Sequence, residues 1–401
     1  MILALISLSH IAGATGQYSI NTLAPFYLHD LELTRTQVGL FFTAFYAGMA
    51  CLSYPAGWLA DRLGVGKAAL VGHVSLGIFT VAAAWAPSFA WAFGCFLFAG
   101  LGYSFLNPAS TKGVMGWFEA RERATAMGIK QTGVPAGGVL TAMLAPSLVL
   151  WMGWRGALAV LGVLNTLCGF VFWGCWREGP VGSEQPFEVG ASGTLDIDRS
   201  PFTKLCAISL GTAVLLTAQM ALLTYLPLYL KDVMAFSPFW ASQALALAQM
   251  GGMVGRVGWG VISDRLCGGE RKGVLVGIGI GSVALLALLG FVAPSASPAL
   301  LFALIFFSGV CMIGYQGVSY ALIGEVAGSA RTGAALGIVI SVNSLGAILG
   351  TPLFGYLVDK TDSYAIAWGA LAAIVLSGVL ALKFFLAEAT PSGASSQPTT
   401  S

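Results

Sequence analysis

Apolar residues in this chain come in long unbroken blocks separated by short polar knots. They do not alternate as in a half-buried strand, nor keep to one face as in a soluble amphipathic helix. The blocks fall at about 2–28, 37–59, 67–86, 89–117, 124–150, 155–176, 204–230, 238–262, 273–293, 298–323, 332–357 and 364–386. Each holds roughly the 20 residues that a helix needs to cross a hydrocarbon layer. In lipid, backbone polar groups are satisfied only inside helices or closed barrels, and stretches this long are helices. The pattern predicts an all-α membrane protein with twelve transmembrane helices. The first block is read as a retained span, because Met1 opens into ILALISLSH without the basic start of a cleaved leader.

The longest polar interruption is REGPVGSEQPFEVGASGTLDIDRSPFT, 177–203. Its Gly, Pro, Ser and acidic residues predict a flexible linker. It separates a six-helix bundle at 1–176 from a second at 204–386, and the tail at 387–401 is expected to be disordered. The halves echo one another. GWLADRLGVGK at 57–67 and GVISDRLCGGERK at 260–272 share the spacing G-x-x-x-D-R-L. GLGYS in the fourth block returns as MIGYQ in the tenth, and RATAMG at 123–128 returns as RTGAALG at 331–337. Repeated halves of this kind predict two pseudo-symmetric bundles with a site between them.

Composition agrees with a lipid-facing surface. The chain is 57% hydrophobic and 9% charged, against about 25% charged in soluble domains. Seven cysteines form no C-x-x-C pair and three histidines do not cluster, so no metal site is expected. No nucleophile elbow, phosphate loop or dinucleotide fingerprint occurs, which argues against an enzyme and against a bound cofactor. No basic run points to nucleic acid. Twelve Lys and Arg residues flank the spans on the linker side, from Arg62 and Lys67 to Arg331 and Lys383. Four stand on the other side: Arg35, Arg155, Lys231 and Lys360. This bias places the linker and both termini in the cytoplasm, and the compact loops suggest a bacterial inner membrane.

Twelve spans, a central linker and the doubled G-x-x-x-D-R resemble the major facilitator superfamily over nearly the whole chain. In the first copy the pattern is carried by Gly57, Asp61, Arg62 and Gly64; in the second, by Gly260, Asp264 and Arg265, with Cys267 in place of the last glycine. The resemblance implies the major facilitator fold and a conformational latch. In that latch Asp61 faces the start of span eleven, near 332, and closes the cytoplasmic side. Gly57 is expected to let two helices approach closely. The drug-antiporter pattern wants an Arg where Phe96 stands, and span five reads GVPAGG with its Gly and Pro separated, so proton-coupled drug export fits less well.

Three cations lie inside spans. Lys130 is seven residues past Arg123, Arg256 eight before Asp264 and Lys112 seven before Glu119, so each sits roughly 10–12 Å into the membrane at 1.5 Å per residue. Facing lipid, each would cost about 2.5–3.5 kcal/mol. Every Asp and Glu falls in a loop or at a span end. The interior is therefore positive and attracts an anion. Arg256 suits a carboxylate because guanidinium binds it through two parallel bonds. Gln249, one and two turns from its neighbours on that face, extends a polar stripe. Gln17 and Asn21 share a face of span one; Tyr103 and Asn107 stand four apart in span four; Gln219, Tyr315 and Asn343 lie in spans seven, ten and eleven. By the resemblance, spans one, four, seven and ten line the central cavity. The expected function is secondary transport of a small organic anion, a carboxylate, by alternating access by a monomer in the bilayer, with either proton symport or exchange of one anion for another as the coupling. The alternative is a drug or metabolite exporter of the same superfamily.

Overall fold

The computed structural model describes residues 1–118, 120–177, 179, 199–291, 297–327 and 332–385, and within these ranges the side chains at 54, 61, 120–125, 128, 199–204, 324, 325, 327, 332–338, 340, 341 and 385 lie outside the description. Of the expected linker at 177–203, residues 178 and 180–198 are outside it, as is the expected tail at 387–401.

The first half holds α1 (Ile2–Thr22), α2 (Ala24–Asp30), α3 (Arg35–Leu63), α4 (Val65–Ala84), α5 (Phe89–Tyr103), α6 (Leu106–Trp117) and α7 (Ala120–Cys175). The second holds α8 (Arg199–Asp232), α9 (Pro238–Val261), a π-turn (Ile262–Leu266), α10 (Arg271–Phe291), α11 (Pro298–Met312), α12 (Gln316–Ala327), α13 (Thr332–Thr361) and α14 (Tyr364–Phe385). These make the twelve passages. α5 with α6 and α11 with α12 are each one passage broken in the middle, and α1 with α2 is one passage broken near its end away from the linker, at Leu23. α7 is two passages joined at Gly153, whose φ of 70° departs from the helix.

Local chemistry fixes the ends. Gly64, at φ 79°, stops α3 and turns the chain into α4. Ser88, Ser237 and Ser297 accept hydrogen bonds from Trp91, Trp240 and Leu300, capping α5, α9 and α11. Pro108 explains one break. A proline ring clashes with the carbonyl four residues earlier, here Ser104, and the helix stops there before restarting at Leu106. α8 begins at Arg199, five residues before the expected start at 204; Pro201 is tolerated there because it lies in the first turn, where a missing N–H costs nothing.

Among the described residues, eight helical stretches are long and apolar enough to cross a membrane by length and composition. Neither α1 nor α9 is among them. Their polar centres, with Gln17, Asn21, Gln249 and Arg256, turn inward instead.

The halves meet mainly along two helix pairs, α3 with α13 and α7 with α9. The α3–α13 crossing is tight at the end away from the linker, here the distal end. A Cβ on Gly355 would lie 2.6 Å from the Arg35 carbonyl oxygen, and one on Gly39 would lie 2.8 Å from that of Thr351. Into this crossing Tyr225 of α8 donates a hydrogen bond to the Thr351 carbonyl at 2.7 Å. Such close approach is how helices associate in lipid, where packing replaces the hydrophobic effect.

Candidate functional site

Between the halves lies a cavity of about 150 Å³, open at its mouth. Tyr46 and Met49 of α3 form one wall, and Leu216 of α8, Gln316 and Tyr320 of α12 and Asn343 of α13 form the other. Tyr315, in the break between α11 and α12, completes it. That break follows from a close crossing: a Cβ on Gly314 would meet the Cα of Gly255 on α9 at 2.7 Å. It also aims Tyr315 and Gln316 into the space.

Arg256 stands at the edge of this cavity. Its guanidinium donates to Gln316 Oε1 at 2.6 Å and to the Gln131 carbonyl at 3.0 Å. The second bond crosses from α9 to α7 and so joins the two halves. All its hydrogen-bond acceptors among the described residues are neutral oxygens, and it forms no ion pair among them. Tyr18, Tyr103, Tyr315 and Tyr320 stand within electrostatic reach of the guanidinium. Gln316 then passes a long 3.4 Å bond on to Gln219 Oε1. Asn343 accepts from Thr212 at 3.0 Å, and Gln17 donates to the Tyr46 hydroxyl at 3.0 Å.

Lys130 is placed differently. It is fully buried, and its amine bonds Asn107 Oδ1 at 2.9 Å and Thr111 Oγ1 at 2.8 Å, all within the first half. His10 pairs with Ser110 and His73 with Ser9, each at 2.7 Å, in the same bundle. Lys130 and Asn107 are thus brought together away from the cavity wall. Lys112 is half-buried on α6, outside the cavity lining. Tyr103 ends α5 and Asn107 lies in the first turn of α6, on either side of the break at Ser104. Tyr103 packs against Phe45. Asn21 is fully buried with no hydrogen bond to its amide among the described residues. Gln249 is buried against Gly138 of α7.

The two G-x-x-x-D-R copies lie at the linker end. A Cβ on Gly57 would meet nothing within 4 Å among the described residues, and the same holds at Gly260; the side chains at the start of α13, 332–338, are outside the description. The side chain of Asp61 is outside the described residues. Arg62 stacks on Trp58 of its own helix at 3.8 Å. Asp264 pairs with Arg271 of its own half at 2.5 Å, and Arg265 is exposed.

Sequence reasoning missed Tyr46, the role of Gln316, and a cluster at the distal end made by Arg35, Asp232, Asp359 and Tyr364. One signal existed for the last. Asp232 and Asp359 sit in the final turns of α8 and α13, where a helix dipole disfavours an acid, so each needed a partner elsewhere.

A family model described as Major Facilitator Superfamily matches residues 6–268 and 259–400. The probable sulfoacetate transporter SauU of Cupriavidus necator is 27% identical, over 96% of this chain and 93% of its own. The hexuronate transporter of Bacillus subtilis is 25% identical, over 91% and 87%. Among solved structures, a bacterial homologue of the human lysosomal transporter Spinster superposes with a TM-score of 0.77 at 19% identity, covering 96% of this chain and 95% of that one. At that identity the likeness speaks to the fold.

Proposed function

The chain belongs to the Major Facilitator Superfamily of transporters, and we propose that its cargo is a small organic anion, a carboxylate, carried by alternating access. The observation that carries this reading is Arg256: a cation beside the central cavity, held by neutral oxygens alone among the described residues. Gln316 Oε1 occupies the place that a carboxylate oxygen would take. An incoming anion displaces it, gains a charge-assisted bond, and meets the amide N–H groups of Gln316 as further donors. Lys130 adds positive field from one layer behind. Relatives named for sulfoacetate and hexuronate transport support the anion class.

The proposed setting is a bacterial inner membrane, with the linker and both termini cytoplasmic and the protein monomeric. Symport with a proton is the proposed coupling. An anion moving alone into a negative interior works against about 2.3 kcal/mol per charge per 100 mV, and a co-transported proton removes that term.

The test is ligand-induced thermal stabilisation of the purified protein. Sulfoacetate, glucuronate, lactate, sulfate, glucose and a lipophilic cation are compared on wild type, Arg256→Ala and Lys130→Ala. An organic anion is expected to raise the melting temperature, with the shift lost in Arg256→Ala. Stabilisation by the lipophilic cation or glucose alone, unchanged in both variants, would overturn this reading in favour of an exporter of other cargo.

A further inference from the structure

The first turn of α3 presents four backbone N–H groups that no residue inside the helix can satisfy. Two are satisfied locally by a capping box: Gln37 N–H donates to Thr34 Oγ1 at 3.2 Å, and Thr34 N–H donates to Gln37 Oε1 at 2.9 Å. The other two cross to the opposite half. Arg35 N–H donates to Asp359 Oδ1 at 3.1 Å, and Thr36 N–H donates to Asp359 Oδ2 at 2.8 Å. The Thr36 hydroxyl adds a third bond to the same oxygen at 2.6 Å.

Asp359 lies in the last turn of α13, the wrong end of its own helix for an acid. It is at the right end of α3. Beside it the Arg35 side chain reaches Asp232 of α8 at 2.8 Å and the Tyr364 hydroxyl at 3.0 Å, and Tyr364 in turn donates to Asp232 at 2.8 Å.

We propose that this cluster is the clasp that holds the distal end shut, with Asp359 capping the α3 N-terminus in trans. Opening that end requires Asp359 to leave two backbone donors and Arg35 to leave Asp232. Because cap, ion pair and hydroxyl all join one half to the other, they act on the open–closed equilibrium and leave the fold of each bundle intact. The proposal does not depend on which cargo the protein carries.

The test uses spin labels at Glu32 and Lys360, exposed positions on opposite halves of the distal end, in a full-length background with the native cysteines replaced by serine. Distances are measured by double electron–electron resonance without ligand. Wild type is expected to show one short-distance population. Asp359→Ala and Arg35→Ala are each expected to bring up a longer one, with the closed-to-open ratio falling about tenfold or more. Asp359→Asn, which keeps the shape and loses the charge, is expected to move the same way. Arg35→Asp is expected to open the end, and Arg35→Asp combined with Asp232→Arg to regain part of the short population. An unchanged distribution in Asp359→Ala and Asp359→Asn overturns the trans cap. Failure of the charge swap to recover any closed population overturns the Arg35–Asp232 part of the clasp.

Discussion

Arg256 and Lys130 show how burial alone fails to distinguish two intramembrane cations. Both were legible in the sequence as charges without a nearby acid. Their roles separate only in three dimensions. Lys130 spends its donors on Asn107 and Thr111 inside one bundle, whereas Arg256 spends them on a movable amide and on the opposite half. Gln316 was visible as one polar residue among several in span ten. Its pairing with Arg256 depends on the break at Ile313–Tyr315, which no local proline announces. The pairing makes a residue-level prediction. Gln316→Glu supplies Arg256 with an internal carboxylate, so anion affinity is expected to fall about tenfold or more, the equivalent of about 1.4 kcal/mol. Gln316→Ala removes the competitor as well as a donor and is expected to cost less. Titration of both variants with the anion found in the stabilisation screen checks this ordering; equal affinity in wild type and Gln316→Glu contradicts it.

At the scale of elements, the positions of the spans were readable because lipid demands long apolar helices, and the halves because their motifs recur. The breaks were less readable. Pro108 explains the one in span four by its clash with Ser104, yet the fourth and tenth passages break at similar depth for different local reasons. Small residues set the packing inside the first half. A Cβ on Gly137 of α7 would come within 2.5 Å of the Ile11 carbonyl oxygen on α1. Gly137→Val is therefore expected to lower stability by about 1–3 kcal/mol through overpacking. The readout is the melting midpoint in detergent; an unchanged midpoint would mean that α1 and α7 part more easily than their contact implies. Gly57→Ala, whose new Cβ meets no described atom within 4 Å, is expected to leave that midpoint in place.

For the whole molecule, α3 and α13 run antiparallel along the boundary between the halves. Each therefore offers its N-terminus to the C-terminal end of the other. At the distal end the pairing is observed, through Asp359. At the linker end Asp61 stands at the corresponding place on α3, and the superfamily resemblance assigns it to the start of α13. The two carboxylates are expected to pull the equilibrium in opposite directions. Asp61→Asn favours the state closed at the distal end, and labelling of a single cysteine in the distal cleft should then fall, while the same label rises in Asp359→Ala. Parallel changes in both variants would contradict opposing latches. The sequence announced the Asp61 end because it carries a recurring motif. It was silent on the Asp359 end because that clasp draws residues from four helices distant in sequence. The central claim remains the cargo, and the most direct measurement is uptake of radiolabelled sulfoacetate and glucuronate into proteoliposomes under an inward proton gradient. The account predicts saturable uptake of at least one anion, competed by other carboxylates and lost in Arg256→Ala. Uptake equal to empty liposomes for both anions, from protein that binds and transports a neutral or cationic compound instead, would contradict it.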